Sequence, residues 1–356
     1  MILEIFIFLL GLLLVIGTIT SAMRTFVVPR AEQVFLSRAV FIAMRYAFNF
    51  WITRLRTFEE RDRVMGYYAP VSLLALAPVW LILVLLGFTG MFWASGVASI
   101  EDAFKLSGSS LFTLGFIPPS DLLQHLLAFS EAAIGLALVA IFISYLPTMY
   151  AAFQRRESLV TLLDVRAGAP PSAVEMIERF HRIHGLAQLT EMWERWEEWF
   201  ADVEESHTSL AALIYFRSPV SGRSWVTAAG AVLDGAALAA STLDIPRDAR
   251  ADLCLRAGYL ALYAIGDLLN FNFNHHPNAG GPISITREEF DAVYDRLAKQ
   301  GVPVKADRDQ VWRDFAGWRV NYDEVLLGLA DVTMAPDALW SSDRCKGKAR
   351  ELRLRK

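Results

Sequence analysis

Residues 99–120 read SIEDAFKLSGSSLFTLGFIPPS, and they fall between two long apolar segments, 64–100 and 132–153, neither of which contains a charge. The first half of the stretch predicts a short helix. Ser99 is placed to cap it, and Glu101 and Asp102 sit in the first turn, where the helix dipole favours acids. The second half, Thr113-Leu114-Gly115-Phe116, is a poor helix and a poor span. A short helix and then an irregular segment around a glycine, set between two spans, is the layout of a re-entrant loop. Non-helical backbone at membrane depth survives only where protein or a water-filled cavity satisfies it. The plainer alternative is a turn joining two spans in a membrane protein that conducts nothing.

The rest of the chain suits a membrane part and a separate helical part. Hydrophobic residues make up 54% of the 356 positions, high for a soluble protein and low for one wholly inside a bilayer. The net charge of −4 gives no case for nucleic acid as a partner. Cys254 and Cys345 lie far apart and suggest neither a disulfide framework nor a thiolate metal site.

Taken in order, residues 5–23 are uncharged and just long enough to span. Glu4 precedes them, and Arg24 and Arg30 follow, with Pro29 marking the exit. This is the reverse of a signal peptide and predicts a retained anchor with its N-terminus outside. Eight arginines against four acids lie between Arg24 and Arg63, whereas residues 95–123 carry one lysine and three acids. The positive-inside rule therefore puts 24–63 in the cytoplasm, residues 99–120 outside, and Arg155 and Arg156 inside. Within the basic linker, 35–56 reads as a helix with Arg38, Arg45, Asn49 and Arg56 on one stripe. It either lies in the inner membrane interface, arginines toward lipid phosphates, or packs on the chain's own helices.

The second span covers about 69–93 and the third about 122–153, with Glu131 the only internal charge of the third. Intramembrane acids are functional suspects. Glu131 is expected near the outer end, beside a vestibule or bracing the loop from behind; the alternative has it reaching the outer surface. Beyond Arg156 the chain reads as helices: 172–184 and 287–300, each opened by a capping box, then 187–206, 207–216, 224–242, 246–270 and 308–331. The segment 224–242 is apolar but holds Asp234, which favours a core helix over a fourth span. The basic tail beyond Asp343, ending in Arg355 and Lys356, reads as a mobile arm able to touch inner-leaflet lipid. Two Glu-x-x-His pairs, Glu178 with His181 and Glu204 with His207, have metal-ligand spacing, but Arg179 and Arg182 oppose a cation at the first. The tryptophans at 193, 196 and 199 read as core or subunit interface. No metal, cofactor or catalytic constellation is expected, and the chain does not read as an enzyme.

The expected fold class is an all-α membrane protein: an N-terminal anchor helix with its basic linker (1–66), a two-span pore-loop module (67–156) and a C-terminal cytoplasmic helical domain (157–356). Span, short helix, Thr-x-Gly-aromatic, span resembles the two-transmembrane pore module of potassium channels. Their filter signature is TVGYG. Thr113, Leu114, Gly115 and Phe116 match its first four positions, and Ile117 stands where the family has its second glycine. The resemblance covers about 64–156 and implies a homotetramer in the cell membrane, passing monovalent cations such as K+ or Na+. It also implies filter residues at 113–117, a hinge at Gly135 and a kink at Pro147, with the helical domain gating or assembling the pore. A β-branched residue resists positive φ, so Ile117 is expected to reshape the outermost ion site and leave discrimination of potassium from sodium poor. The second reading is a non-conducting membrane-anchored receptor or scaffold whose cytoplasmic helices bind a partner.

Overall fold

The computed structural model describes residues 1–26, 28 and 34–354, so Pro29, Arg30, Arg355 and Lys356 lie outside the described residues. The described residues form helices and no strands; a single antiparallel bridge pairs Leu243 with Val304. The chain divides into two compact units, Met1–Leu55 with Tyr67–Ala151, and Arg56–Gly66 with Ala152–Lys356.

The first unit holds α1 (Ile2–Phe26), α2 (Phe35–Ile52), α4 (Tyr68–Ala94), α5 (Ile100–Leu111) and the first part of α6 (Leu122–Ala167); α3 (Phe58–Gly66) belongs to the second unit. Three helices, α1, α4 and α6, are long and apolar enough to cross a membrane. In lipid the hydrophobic effect does not drive helices together, so close backbone approach through small residues carries the association. Gly11 on α1 and Gly87 on α4 supply it: a Cβ on Gly87 would meet Val15 Cγ2 at 2.7 Å, and one on Gly11 would run into the Gly87 carbonyl. At the other end of α1, Phe26 packs on Trp80 and Tyr145, and Trp80 Nε1 donates to Ser21 Oγ at 3.3 Å.

One face of α2 packs on the start of α4. Phe41 and Phe48 flank Tyr68, the Tyr68 hydroxyl donates to the Phe41 carbonyl at 3.1 Å, and the Arg45 guanidinium lies over the Tyr68 ring. The stripe of arginines is thus partly turned onto the protein's own aromatic. The opposite face leaves Phe35, Tyr46, Phe50 and Trp51 exposed.

The second unit is built around α9 (Trp225–Ser241), in which every residue from Trp225 to Ala239 is buried. A helix apolar all round belongs in a core, and this one is also shorter than a span. Around it stand α7 (Ala173–Arg182), α8 (Leu189–Ser209), α10 (Ala249–Leu268), α11 (Arg287–Lys299), α12 (Arg308–Arg319), α13 (Asp323–Thr333) and α14 (Lys348–Leu354). The Thr286–Glu289 capping box closes with both arms, at 3.2 and 2.8 Å. At Ser172 only one arm forms, because the Glu175 carboxylate pairs with Arg179 instead.

The structure corrects three further expectations. The helix expected over 207–216 is absent: α8 runs on to Ser209 and a 3-10 turn follows at Ala211–Tyr215. The helix expected over 308–331 is two, because the Asn321 side-chain amide donates to the carbonyls of Gly317 and Trp318 and ends α12. The basic tail is packed rather than free. Ala349 and Leu352 are buried, the Asn272 N–H donates to the Leu352 carbonyl, and Arg344 pairs with Glu289. Cys345, Ala349 and Leu352 recur at helical spacing inside the run of cations, and their burial outweighs the solvation of the charges around them.

Arg156 is a fully buried charge of the second unit. Arg156 donates to Glu157, to the carbonyls of Leu213 and Phe216, and to His207 Nε2 at 3.1 Å. A guanidinium only donates, so His207 Nε2 accepts and its proton sits on Nδ1, directed at the Val203 carbonyl at 2.9 Å. Burial, and then the charge of Arg156, hold the His207 pKa well below its ordinary value of 6.5. The unfolded chain therefore takes up a proton near pH 6.5 that the folded one refuses, and stability rises with pH through that window. We expect the protein to lose up to about 1.4 kcal/mol of stability per pH unit below 6.5 from this group alone. In His207→Gln, which keeps an acceptor for Arg156, urea unfolding at pH 7.5 and 5.5 should show a smaller difference than the unmodified chain. An unchanged difference would remove His207 from the acid limb.

Candidate functional site

The loop that decides the reading is built from the end of α5. Ser99 caps that helix, its hydroxyl accepting from the Asp102 N–H at 3.0 Å. Past Leu111 the chain turns back on Ser109. The Ser109 carbonyl accepts from the N–H of Leu114 at 2.8 Å, and the Ser109 hydroxyl accepts from Phe116 and Ile117 at 3.1 and 3.3 Å. One serine thus satisfies most of the irregular backbone that follows it. Thr113 and Gly115 take φ of +55° and +67°, whereas Ile117 is not among the residues with positive φ. For β-branched Thr113 this is a strained backbone, of the kind that persists only where neighbours fix it. Thr113, Leu114, Gly115 and Phe116 are all exposed. At the far end of the loop, the Asp121 carboxylate accepts from the Gln124 N–H, and the Gln124 side-chain oxygen Oε1 accepts from the Ser120 N–H, so α6 starts on a fixed footing.

Glu131 is fully buried rather than turned to a surface. Its Oε1 accepts from the Ser107 hydroxyl at 2.5 Å, and that hydroxyl also lies 3.0 Å from the Leu85 carbonyl. Three helices, α4, α5 and α6, meet at this point, behind the end of the short helix. Glu131 Oε2 has no hydrogen-bond partner among the described residues. A buried acceptor so placed costs stability unless the group earns its position by ordering its neighbours.

Gly135 lies one turn further along α6. A Cβ there would sit 2.8 Å from the Leu111 carbonyl, so glycine is what lets α6 approach the end of α5. The helix runs unbroken through Gly135 and Pro147. Sequence reasoning singled out Glu131 and Gly135 but missed Ser107, which holds Glu131, and Ser109, which holds the loop. The run Ser107-Gly108-Ser109-Ser110 was the available signal: three hydroxyls at the end of a helix that enters an irregular loop.

Glu131→Gln keeps an acceptor for Ser107 and should leave the melting temperature in nanodiscs close to that of the unmodified protein. Glu131→Ala should lower stability by about 1–3 kcal/mol, the usual result of stranding a buried hydrogen-bonding partner. Equal stability of the two variants would mean that the contact orders nothing.

Elsewhere, the Glu-x-x-His pairs are separated by other partners. Glu178 is held by Arg296 at 2.6 Å and His207 by Arg156, and no cluster of three or more potential metal ligands occurs among the described residues. The tryptophans at 193, 196 and 199 are buried in the core of the second unit. Compared with protein-family models, with curated proteins and with solved structures, the chain finds no match.

Proposed function

We propose that the protein is a pore-loop cation channel of the cell membrane, similar to the two-transmembrane module of potassium channels. The observation that carries this reading is the short capped helix α5 between two candidate spans, followed by a loop with two positive-φ residues, Thr113 and Gly115, tied back to Ser109. One loop cannot enclose a pore, so the working unit is a homotetramer. The exposed apolar side chains of Leu114 and Phe116 support this, because such a patch needs cover and copies around an axis supply it. Residues 113–117 form the filter, Glu131 braces it through Ser107, and Gly135 and Pro147 are the bending points of the inner helix. The N-terminus lies outside and the second unit in the cytoplasm, where it gates or assembles the pore; membrane lipid is the remaining partner. Monovalent cations pass, with little discrimination of potassium from sodium because of Ile117.

The test is ion flux into liposomes carrying the purified chain, with light scattering to establish a tetramer. Cation uptake by tetrameric protein supports the proposal; a strict monomer at micromolar concentration defeats it. The second reading, a membrane-anchored scaffold, is favoured by Ile117-Pro118-Pro119, which departs from the family's filter. A tetramer with no flux of any monovalent cation would favour it.

A further inference from the structure

Where α4, α5 and α6 meet, the hydrogen bonds around Glu131 bear on where its protons lie. The Ser107 hydroxyl is 2.5 Å from Glu131 Oε1 and 3.0 Å from the Leu85 carbonyl, and Ser107 and Glu131 are both fully buried. A hydroxyl has one proton to give. With Glu131 ionised, that proton goes to the carboxylate, and the Ser107 and Leu85 oxygens face each other at hydrogen-bonding distance with no hydrogen between them. With Glu131 protonated, the acid donates to Ser107 and Ser107 donates to Leu85, so both contacts are hydrogen bonds. The 2.5 Å separation fits a bond in either direction. The approach to Leu85 fits the second arrangement alone.

Two further observations agree. Glu131 Oε2 is buried without a hydrogen-bond partner among the described residues. Stranding an oxygen of a carboxylate costs far more than stranding the carbonyl oxygen of a neutral acid, and buried charges persist where they are paired. Among the described residues, no cation pairs with this one. α4 has Tyr68 at its start and no charged side chain. α5 carries Glu101, Asp102 and Lys105, all exposed, and Lys105 is paired with Glu101 at 2.6 Å. On α6 the His125 ring is bonded to the Asp121 carbonyl at 2.7 Å, and between Glu131 and Arg155 the titratable side chains are Tyr145 and Tyr150. α1, packed on α4, has its charges at its two ends, Glu4 and Arg24.

We infer that Glu131 is held as a neutral acid that donates to Ser107, and that loss of this proton opens the junction of α4, α5 and α6. Ionisation removes the donor that lets Ser107 turn its own proton to Leu85, and it sets an unpaired charge among three helices. Gly135, one turn along α6, is the point of close approach to Leu111 at the end of α5, so a loosened junction reaches the start of the loop. The junction is a proton-sensitive switch behind residues 113–117. The inference does not rest on the channel reading, since a chain that conducts nothing keeps the same three-helix contact.

The experiment is infrared spectroscopy of the full chain in maltoside micelles, which contribute no carbonyl band of their own. The difference between the unmodified protein and Glu131→Gln at pH 7 should contain the carbonyl stretch of one protonated carboxyl group, and raising the pH should remove it. Ser107→Ala should keep the band and move it to higher frequency, because the acid loses its acceptor. Hydrogen exchange over residues 103–117 should quicken as the band is lost. Glu131→Gln, whose amide donates to Ser107 at every pH, should show only the ordinary rise of exchange with pH. No band at pH 7, or a band that Ser107→Ala leaves in place, would defeat the neutral donor. A band lost with no extra exchange over 103–117 would defeat the switch.

Discussion

Arg319→Met is expected to cost the second unit about 3–5 kcal/mol, the usual consequence of leaving buried charges without their partner. Arg319 is fully buried. It donates to Asp234 at 2.6 Å, to Asp323 at 2.7 Å and to the Trp340 carbonyl at 2.6 Å. Burial alone would lower its pKa, but the carboxylates of Asp234 and Asp323 raise it above the ordinary arginine value, so the guanidinium stays charged. Two neighbours add to the network: the Tyr322 hydroxyl donates to Asp234 at 2.9 Å, and Ser284 donates to Asp323 through its N–H and its hydroxyl. Arg319 also fixes Trp340, whose φ of +64° a bulky residue adopts only when its surroundings demand it. Removing the guanidinium strands two carboxylates and a carbonyl at once.

Asp234→Asn is milder, about 1–3 kcal/mol, because an amide oxygen still accepts from Arg319 and Tyr322 while Asp323 keeps the ion pair. The two substitutions together should cost less than their sum, since they act on one network. Urea unfolding of the full chain in micelles, followed by tryptophan fluorescence, measures both. A cost below about 1 kcal/mol for Arg319→Met, or strict additivity, would show that the network contributes little.

This network marks where the sequence stops being readable. Asp234 stood out as a lone acid in an apolar helix, and that was enough to argue against a span. Its partner lies on a helix whose own pattern gives no hint of a buried arginine, and pairing across so many residues is set by tertiary packing. The spans, the Ser99 cap and the Thr286 box were legible because each is a local matter of composition or three-residue spacing. The break at Asn321 was hidden for the opposite reason: no glycine or proline marks it, and the side chain that ends α12 is an ordinary surface asparagine elsewhere. The tail misled because seven cations among its last residues mask three small or apolar positions. In the loop, the glycine and threonine were visible, but the serine that holds their backbone was not, since Ser109 reads simply as part of a helix end.

On the channel reading, Gly115→Val is expected to abolish conduction, and the reason is backbone rather than space. A Cβ on Gly115 meets nothing within 4 Å in this chain, yet the residue sits at φ +67°. That conformation costs a residue with a Cβ roughly 1–2 kcal/mol, and four copies around one axis meet the cost four times. Asparagine tolerates it best of the non-glycine residues, so conduction should survive in the order Gly115→Asn, then Gly115→Ala, with Gly115→Val silent. A steric cause would rank them by size instead. Ile117 is the converse case. Its φ is not positive, so the carbonyls beyond Gly115 leave the register that Thr113, Leu114 and Gly115 set, and fewer rings remain to replace the water around an ion. The unmodified protein should then show little preference between potassium and sodium in reversal potentials across planar bilayers. Ile117→Gly gives the chain back a residue free to take positive φ and should shift the reversal potential toward that of potassium. Strong potassium selectivity in the unmodified protein would defeat the argument from Ile117, and full conduction through Gly115→Val would take the loop out of the pore.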